Sequence, residues 1–127
     1  MISGQVYLKK EKAALSPSRH PWIFDGALDT SRCIGVEAGI VRLLTHDNRF
    51  LAIGTYNPKS AIAFRVLSTD PNLEINENFF IDRFISARQL RLIAIASNTN
   101  GLRWINSEGD RLPGLTVDGF DSHLVVQ

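Results

Sequence analysis

The sequence holds one cysteine and one methionine in 127 residues, carries a formal net charge of only +1, and has no long apolar run. Each shortage excludes something. A lone Cys33 cannot close an internal disulfide, and His20, His46 and His123 stand too far from it and from one another to give the paired Cys/His spacing of a structural zinc site. No stretch comes near the roughly 20 apolar residues of a membrane helix, and the opening MISGQVYLKKEKAAL lacks the apolar centre of a secretory signal. The expectation is a cytoplasmic chain with no membrane partner. What remains is 44% hydrophobic and 21% charged, with a mean hydropathy of −0.03. That balance belongs to folded globular proteins, because disorder needs fewer apolar residues and more net charge.

The near-zero charge hides an uneven distribution. Up to Asp70 the cations Lys9, Lys10, Lys12, Arg19, Arg32, Arg42, Arg49, Lys59 and Arg65 outnumber the anions Glu11, Asp25, Asp29, Glu37, Asp47 and Asp70, and beyond Asp70 the acids lead. A mildly basic front half suits a polyanion, although charge alone does not reach the level that argues for nucleic-acid binding.

Hydrophobic periodicity divides the chain in the same place. Alternation predicts a strand over Gln5 to Lys9, a helical turn over Glu11 to Leu15 closed by Ser16-Pro17-Ser18, and strands at Ile40 to Thr45, Phe50 to Tyr56 and Ile62 to Ser68. His46-Asp47-Asn48-Arg49 reads as a hairpin turn and Asn57-Pro58-Lys59-Ser60 as the next one. From Ile75 the period changes to three-and-four, with Phe80, Phe84, Ala87 and Ala94 on one stripe and Ile81, Ile85, Leu92 and Ile95 beside it. Asn76 is the expected N-cap, Ser97 the approximate end, and Gly101 a candidate for positive φ. Strands at Leu102 to Asn106 and Leu115 to Val117 then flank a turn from Gly109 to Gly114, and Leu124 to Val126 begins another. The predicted class is α+β, a β-barrel followed by a helix with antiparallel strands, joined through Thr69 to Glu74.

Three stretches in order, RHPWIFDGAL from Arg19, GTYNPKSAIAFRVLSTD from Gly54 and WINSEGDRLPGLTVDGF from Trp104, resemble the N-terminal part of the bacterial large-subunit ribosomal RNA cytosine-C5 methyltransferases that open with a PUA domain. The resemblance covers nearly the whole chain. It implies a PUA-like RNA-binding barrel over residues 1–70 and, over 75–127, the N-terminal part of the middle domain, truncated before its end. Methyl transfer from S-adenosylmethionine would belong to a further domain, so no catalytic, cofactor-binding or metal-binding residue is assigned, and the 127 residues alone are expected to be inactive. Cys33 inherits no role. Two departures stand out: Asp110-Arg111 replaces an acidic-glycine pair before LPG, and Gly119-Phe120 falls where an arginine and an aromatic are usual.

The candidate RNA contacts are Lys9, Lys10, Lys12, Arg19, His20, Lys59 and Arg65, the partner being large-subunit ribosomal RNA. For Arg19 and His20 two readings stand open, phosphate contact or a local structural role, and Trp22 is expected to fill the core. Asp110, Asp118, Asp121 and His123 match no metal-loop spacing, and Asp110 is expected to cap the LPG turn. A Phe-rich helix also allows a protein-interaction domain without RNA binding. Apolar surface left open by truncation would favour a homo-oligomer.

Overall fold

The computed structural model describes residues 2–95 and 98–127. The chain forms two compact units, Met1–Glu74 and Ile75–Gln127.

In the first unit, five strands, β1 (Gly4–Tyr7), β2 (Trp22–Ile23), β3 (Gly39–Leu44), β4 (Phe50–Tyr56) and β5 (Phe64–Ser68), make one sheet in the order β1-β3-β4-β5-β2. β1 runs parallel to β3, and the remaining pairs are antiparallel. The edges do not stay open. Just past β1, Leu8 bridges to Leu28 just past β2, with the Lys9 amide donating to the Ala27 carbonyl (3.0 Å) and the Asp29 amide to the Tyr7 carbonyl (2.8 Å). The sheet thus curls into the expected barrel-like form, which removes edges that could pair with other chains. Alternation supplies its filling: Val6, Leu8, Val41, Leu43 and Phe64 have no solvent exposure. Each contributes about 1.5–3 kcal/mol of apolar burial.

The turns form for local reasons. Thr45, fully buried, accepts from the Arg49 amide through its hydroxyl (3.0 Å) and donates to the Asp47 carboxylate, while Asn48 takes the left-handed φ of 66°. Asn tolerates that conformation better than most residues. At the next turn, the Asn57 side chain accepts from the Lys59 amide (2.9 Å). Gly54 is required where β4 bulges against β5, because a Cβ there would fall on the Arg65 carbonyl oxygen and 2.6 Å from the Phe64 ring. Cys33 is buried, and burial pushes its thiol above the usual value, which keeps it unreactive.

The second unit packs helix α1 (Glu77–Ala94) on a three-stranded antiparallel sheet of β6 (Gly101–Asn106), β7 (Thr116–Phe120) and β8 (His123–Val126). Asn76 caps the helix as expected, its side chain accepting from the Phe79 amide (3.1 Å). The last helical residue is Ala94; the expected end at Ser97 lies outside the described residues. Ala87, Ile105 and Leu112 form a small core with Phe80, Trp104, Leu115 and Val117 packed on it.

Only part of the predicted apolar surface of α1 is used. Phe80 and Ala87 meet the sheet, whereas Phe84 is 40% exposed, Ile85 49% and Ile93 87%. Gly101 is the first residue of β6 and does not need positive φ; Gly114 (84°) and the non-glycine residue Arg111 (59°) supply the left-handed turns instead. The closing apolar run is a paired strand to its last residue, with Gln127 and Thr116 exchanging both backbone hydrogen bonds at 2.9 Å.

Candidate nucleic-acid interface

β2 sets the most distinctive surface of the first unit. Ile23 points into the core, so in a two-residue strand Trp22 must face outward, and it is half-buried on the outside of the barrel. This corrects the expectation that Trp22 fills the core. Antiparallel pairing puts Trp22 directly opposite Arg65 on β5, whose guanidinium carbon lies 5.6 Å from the indole centroid. His20 meets the same indole edge-on at 5.6 Å, with its Nδ1 accepting from the Trp22 amide at 3.2 Å. Pro21 fixes the approach, and its carbonyl accepts from the Val66 amide (2.8 Å). The result is an aromatic surface edged by a cation and an imidazole, with Arg19 exposed beside it in the chain.

The other candidate residues are spread out. Lys9 is tied down, its ammonium donating to the Gly26 carbonyl (2.9 Å), and Lys10 and Lys12 are exposed on the short 3-10 turn Lys10–Lys12. Lys59 is exposed at the β4–β5 turn, near the strand end where the Asp25 amide donates to Ala61. Of the seven predicted residues, the β2–β5 pairing brings only His20 and Arg65 onto one indole.

Sequence reasoning passed over Arg32, which sits 3.7 Å above the Tyr7 ring and donates to the His46 carbonyl (2.6 Å) and the Asn48 side chain (2.7 Å). It passed over Arg42 as well, whose guanidinium lies 5.6 Å from the Phe50 ring. Arg42 alternates with Val41 and Leu43 on β3, so period two alone would have turned it outward with Arg65. Arg32 had no such signal.

Two acidic residues of the second unit, Asp110 and Asp118, have arginine partners. Asp110 binds the Arg91 guanidinium through both oxygens at 2.6 Å and accepts from the Asn106 amide at 2.6 Å, so it fastens the start of its own turn to α1, where a cap on LPG was expected. Burial pushes its carboxyl up, but the Arg91 and Asn106 hydrogen bonds and the Arg91 charge outweigh that and hold it below the usual value of 3.8. Asp118 pairs with Arg103 across β6 and β7 (2.8 and 2.9 Å), and that hydrogen bonding lowers its carboxyl. Among the described residues no group of three or more His, Cys, Asp or Glu side chains could hold a metal ion.

Residues 6–69 match the family described as a PUA-like domain, and the chain belongs to that family. Its similarity to particular proteins runs further. It is 37% identical over 127 residues to the ribosomal RNA large subunit methyltransferase I of Escherichia coli (strain SMS-3-5 / SECEC), covering 99% of this chain and 32% of the relative. The enzyme of the same description from Serratia proteamaculans (strain 568) is 34% identical with the same coverage. The chain therefore spans about a third of the length of the curated relatives it matches. A solved structure from Streptococcus mutans, described as a SAM-dependent methyltransferase, superposes with a TM-score of 0.75 at 18% identity over 99% of this chain and 32% of the other. A second solved structure, described as that of a methyltransferase complexed with SAH, gives a TM-score of 0.75 at 20% identity, and both likenesses speak for the fold.

Among the described residues, the strand-to-helix connection into α1 does not fit that cofactor. Dinucleotide-like and methyl-donor sites use a glycine-rich turn between a strand and a helix, where backbone amides approach the ligand. Here the connection from β5 to α1, Thr69 to Asn76, holds no glycine, and the Asn76 side chain occupies the Phe79 amide in the first turn of α1.

Proposed function

We propose that this chain is the RNA-binding portion of an S-adenosylmethionine-dependent large-subunit ribosomal RNA cytosine-C5 methyltransferase, with residues 1–70 as the RNA-binding barrel and 75–127 as part of the middle domain. It holds RNA and does not by itself transfer methyl groups. The observation that carries this reading is the outward Trp22 set between Arg65 and His20, on a unit that matches the PUA-like family. An indole face offers an unpaired base a stacking surface, and the neighbouring cations favour the phosphates on either side. Arg19, Lys59, Lys9, Lys10 and Lys12 add long-range attraction, and selection of a particular ribosomal stem would come from base contacts at the indole.

Fluorescence anisotropy with a labelled single-stranded oligoribonucleotide tests this. Trp22→Ala and Arg65→Ala should each weaken binding roughly five- to 150-fold, in line with the 1–3 kcal/mol of a lost base–aromatic stack. Unchanged affinity in both, with the fold intact by circular dichroism, would remove the interface from the Trp22 surface. A second reading, a protein-interaction surface on α1, rests on the exposed Ile81, Ile85, Leu90, Leu92 and Ile93. Light scattering checks it in its simplest form: association with a second copy predicts a mass that rises with concentration, and a monomer throughout argues against it.

A further inference from the structure

The second unit contains a cavity of about 440 Å³ between the middle of α1 and the turn after β6, lined by Arg83, Ser86, Ala87, Leu90, Gly109 and Arg111, with Asp82 and Asp110 completing it. Its charges do not cancel in the ordinary way. Asp110 is already committed to Arg91 and the Asn106 amide, and the Ser86 hydroxyl donates to the Asp82 carbonyl (2.8 Å). Arg83 is held by its stem and its stack on Phe79, with the guanidinium carbon 4.8 Å from the ring centroid. Its Nη1 is buried and has no hydrogen-bond partner. A buried guanidinium nitrogen without an acceptor is costly, since these groups normally satisfy every donor they bury.

The second cation arrives by an unusual route. Arg111 takes the left-handed φ of 59°, ψ 30°, at the end of the 3-10 turn Ser107–Asp110, a position that glycine would occupy with less strain. Burial and then the Arg111 charge hold the Arg83 guanidinium below its usual value, so the two cations feel each other across the site. Two guanidinium groups that repel, one with an unused donor, are stable together when an oxyanion lies between them.

We propose that this cavity is a phosphate-binding site, taking a phosphoryl group between Arg83 and Arg111. It is separate from the Trp22 surface and does not depend on it. Arg83 donates to one oxygen and Arg111 to another, while the Phe79 ring keeps the Arg83 fork in place. Asp82, a carboxylate in the lining, opposes the ligand and limits its affinity. The phosphoryl group can belong to an RNA backbone or to a free phosphate, and the two sources are separable by titration.

The test follows the Arg83 Nε–Hε resonance of the full 127-residue chain by ¹H–¹⁵N NMR, first with inorganic phosphate and then with a short oligoribonucleotide in phosphate-free buffer. The expected result is a saturable shift with phosphate. Arg111→Gly, which keeps the left-handed turn, should weaken it roughly tenfold, Arg83→Gln should weaken phosphate binding as much when followed at the Arg111 Nε–Hε resonance, and Asp82→Asn should tighten it roughly threefold. A shift at Arg83 with the oligoribonucleotide, reversed by added phosphate, assigns the site to RNA backbone; a shift with phosphate alone assigns it to a free anion. No shift at Arg83 with either probe, or a shift that Arg111→Gly and Asp82→Asn leave unchanged, overturns the proposal. Because the phosphate arm needs no RNA, it stands or falls apart from the Trp22 interface.

Discussion

At the residue scale, two ion pairs of similar geometry differ in what they are worth, and burial decides between them. The Arg91 and Asp110 side chains are 13% and 5% exposed, whereas Arg103 and Asp118 are 50% and 21% exposed. Removing one partner of a buried pair leaves an uncompensated charge, so Asp110→Asn should lower stability by about 3 kcal/mol in urea unfolding. Asp118→Asn should lower the urea midpoint far less than Asp110→Asn, as the loss of a solvent-exposed pair does. The direction of the Asp110 shift also sets a pH window. Its folded-state value lies below 3.8, so its contribution is complete above that pH and disappears as pH falls through the lowered value. Urea midpoints measured between pH 7 and pH 2 should therefore fall at the acid end, and the fall should be shallower in Asp110→Asn. Two glycines are equally particular. Gly54→Ala drives a Cβ into backbone, which cannot move aside as a side chain can, and Gly119 lies under the Trp104 indole, whose Cδ1 would sit 2.8 Å from an added Cβ. An arginine at 119 thus requires Trp104 to leave the sheet face, so Gly119→Arg should lower the melting temperature by more than Phe120→Arg on the exposed neighbour.

At the element scale, α1 is a helix whose cap is clear and whose burial is partial. Asn76→Ala removes the acceptor for the Phe79 amide and should cost about 1 kcal/mol, read as a loss of helical signal and a lower urea midpoint. The cap, the helix and the strands β3, β4, β6 and β8 were all legible in the sequence, because period and turn chemistry act over a few residues and depend little on tertiary context. β2 was not. With only Trp22 and Ile23 it is too short for a period, and it exists because β5 offers it an edge, a long-range cause that neighbouring residues do not encode. Missing β2 also hid the orientation of Trp22, so an outward aromatic was read as core. The second stripe of α1 failed in a different way: Ile85 and Ile93 obey helical spacing, but the three strands opposite the helix cover one stripe only.

At the scale of the whole molecule, a sheet closed on itself and a helix on three strands divide the chemistry of the chain. The first unit displays an indole with Arg65 and His20 against it, while the second encloses two arginines around a cavity. Sequence places a change of period near Thr69 to Glu74, where the two units meet, and the mild excess of cations before Asp70 is the sequence ground for proposing that the first of them takes a polyanion. Which cations share a surface was beyond it, since that depends on strand pairing. The chain has two tryptophans, one in each unit, so Trp104→Phe leaves Trp22 as the sole indole reporter. Titrating that variant with single-stranded RNA while recording tryptophan emission tests the account most directly. Stacking of a base on Trp22 predicts saturable quenching that weakens as salt is raised. RNA binding detected by anisotropy with Trp22 emission unchanged would contradict it.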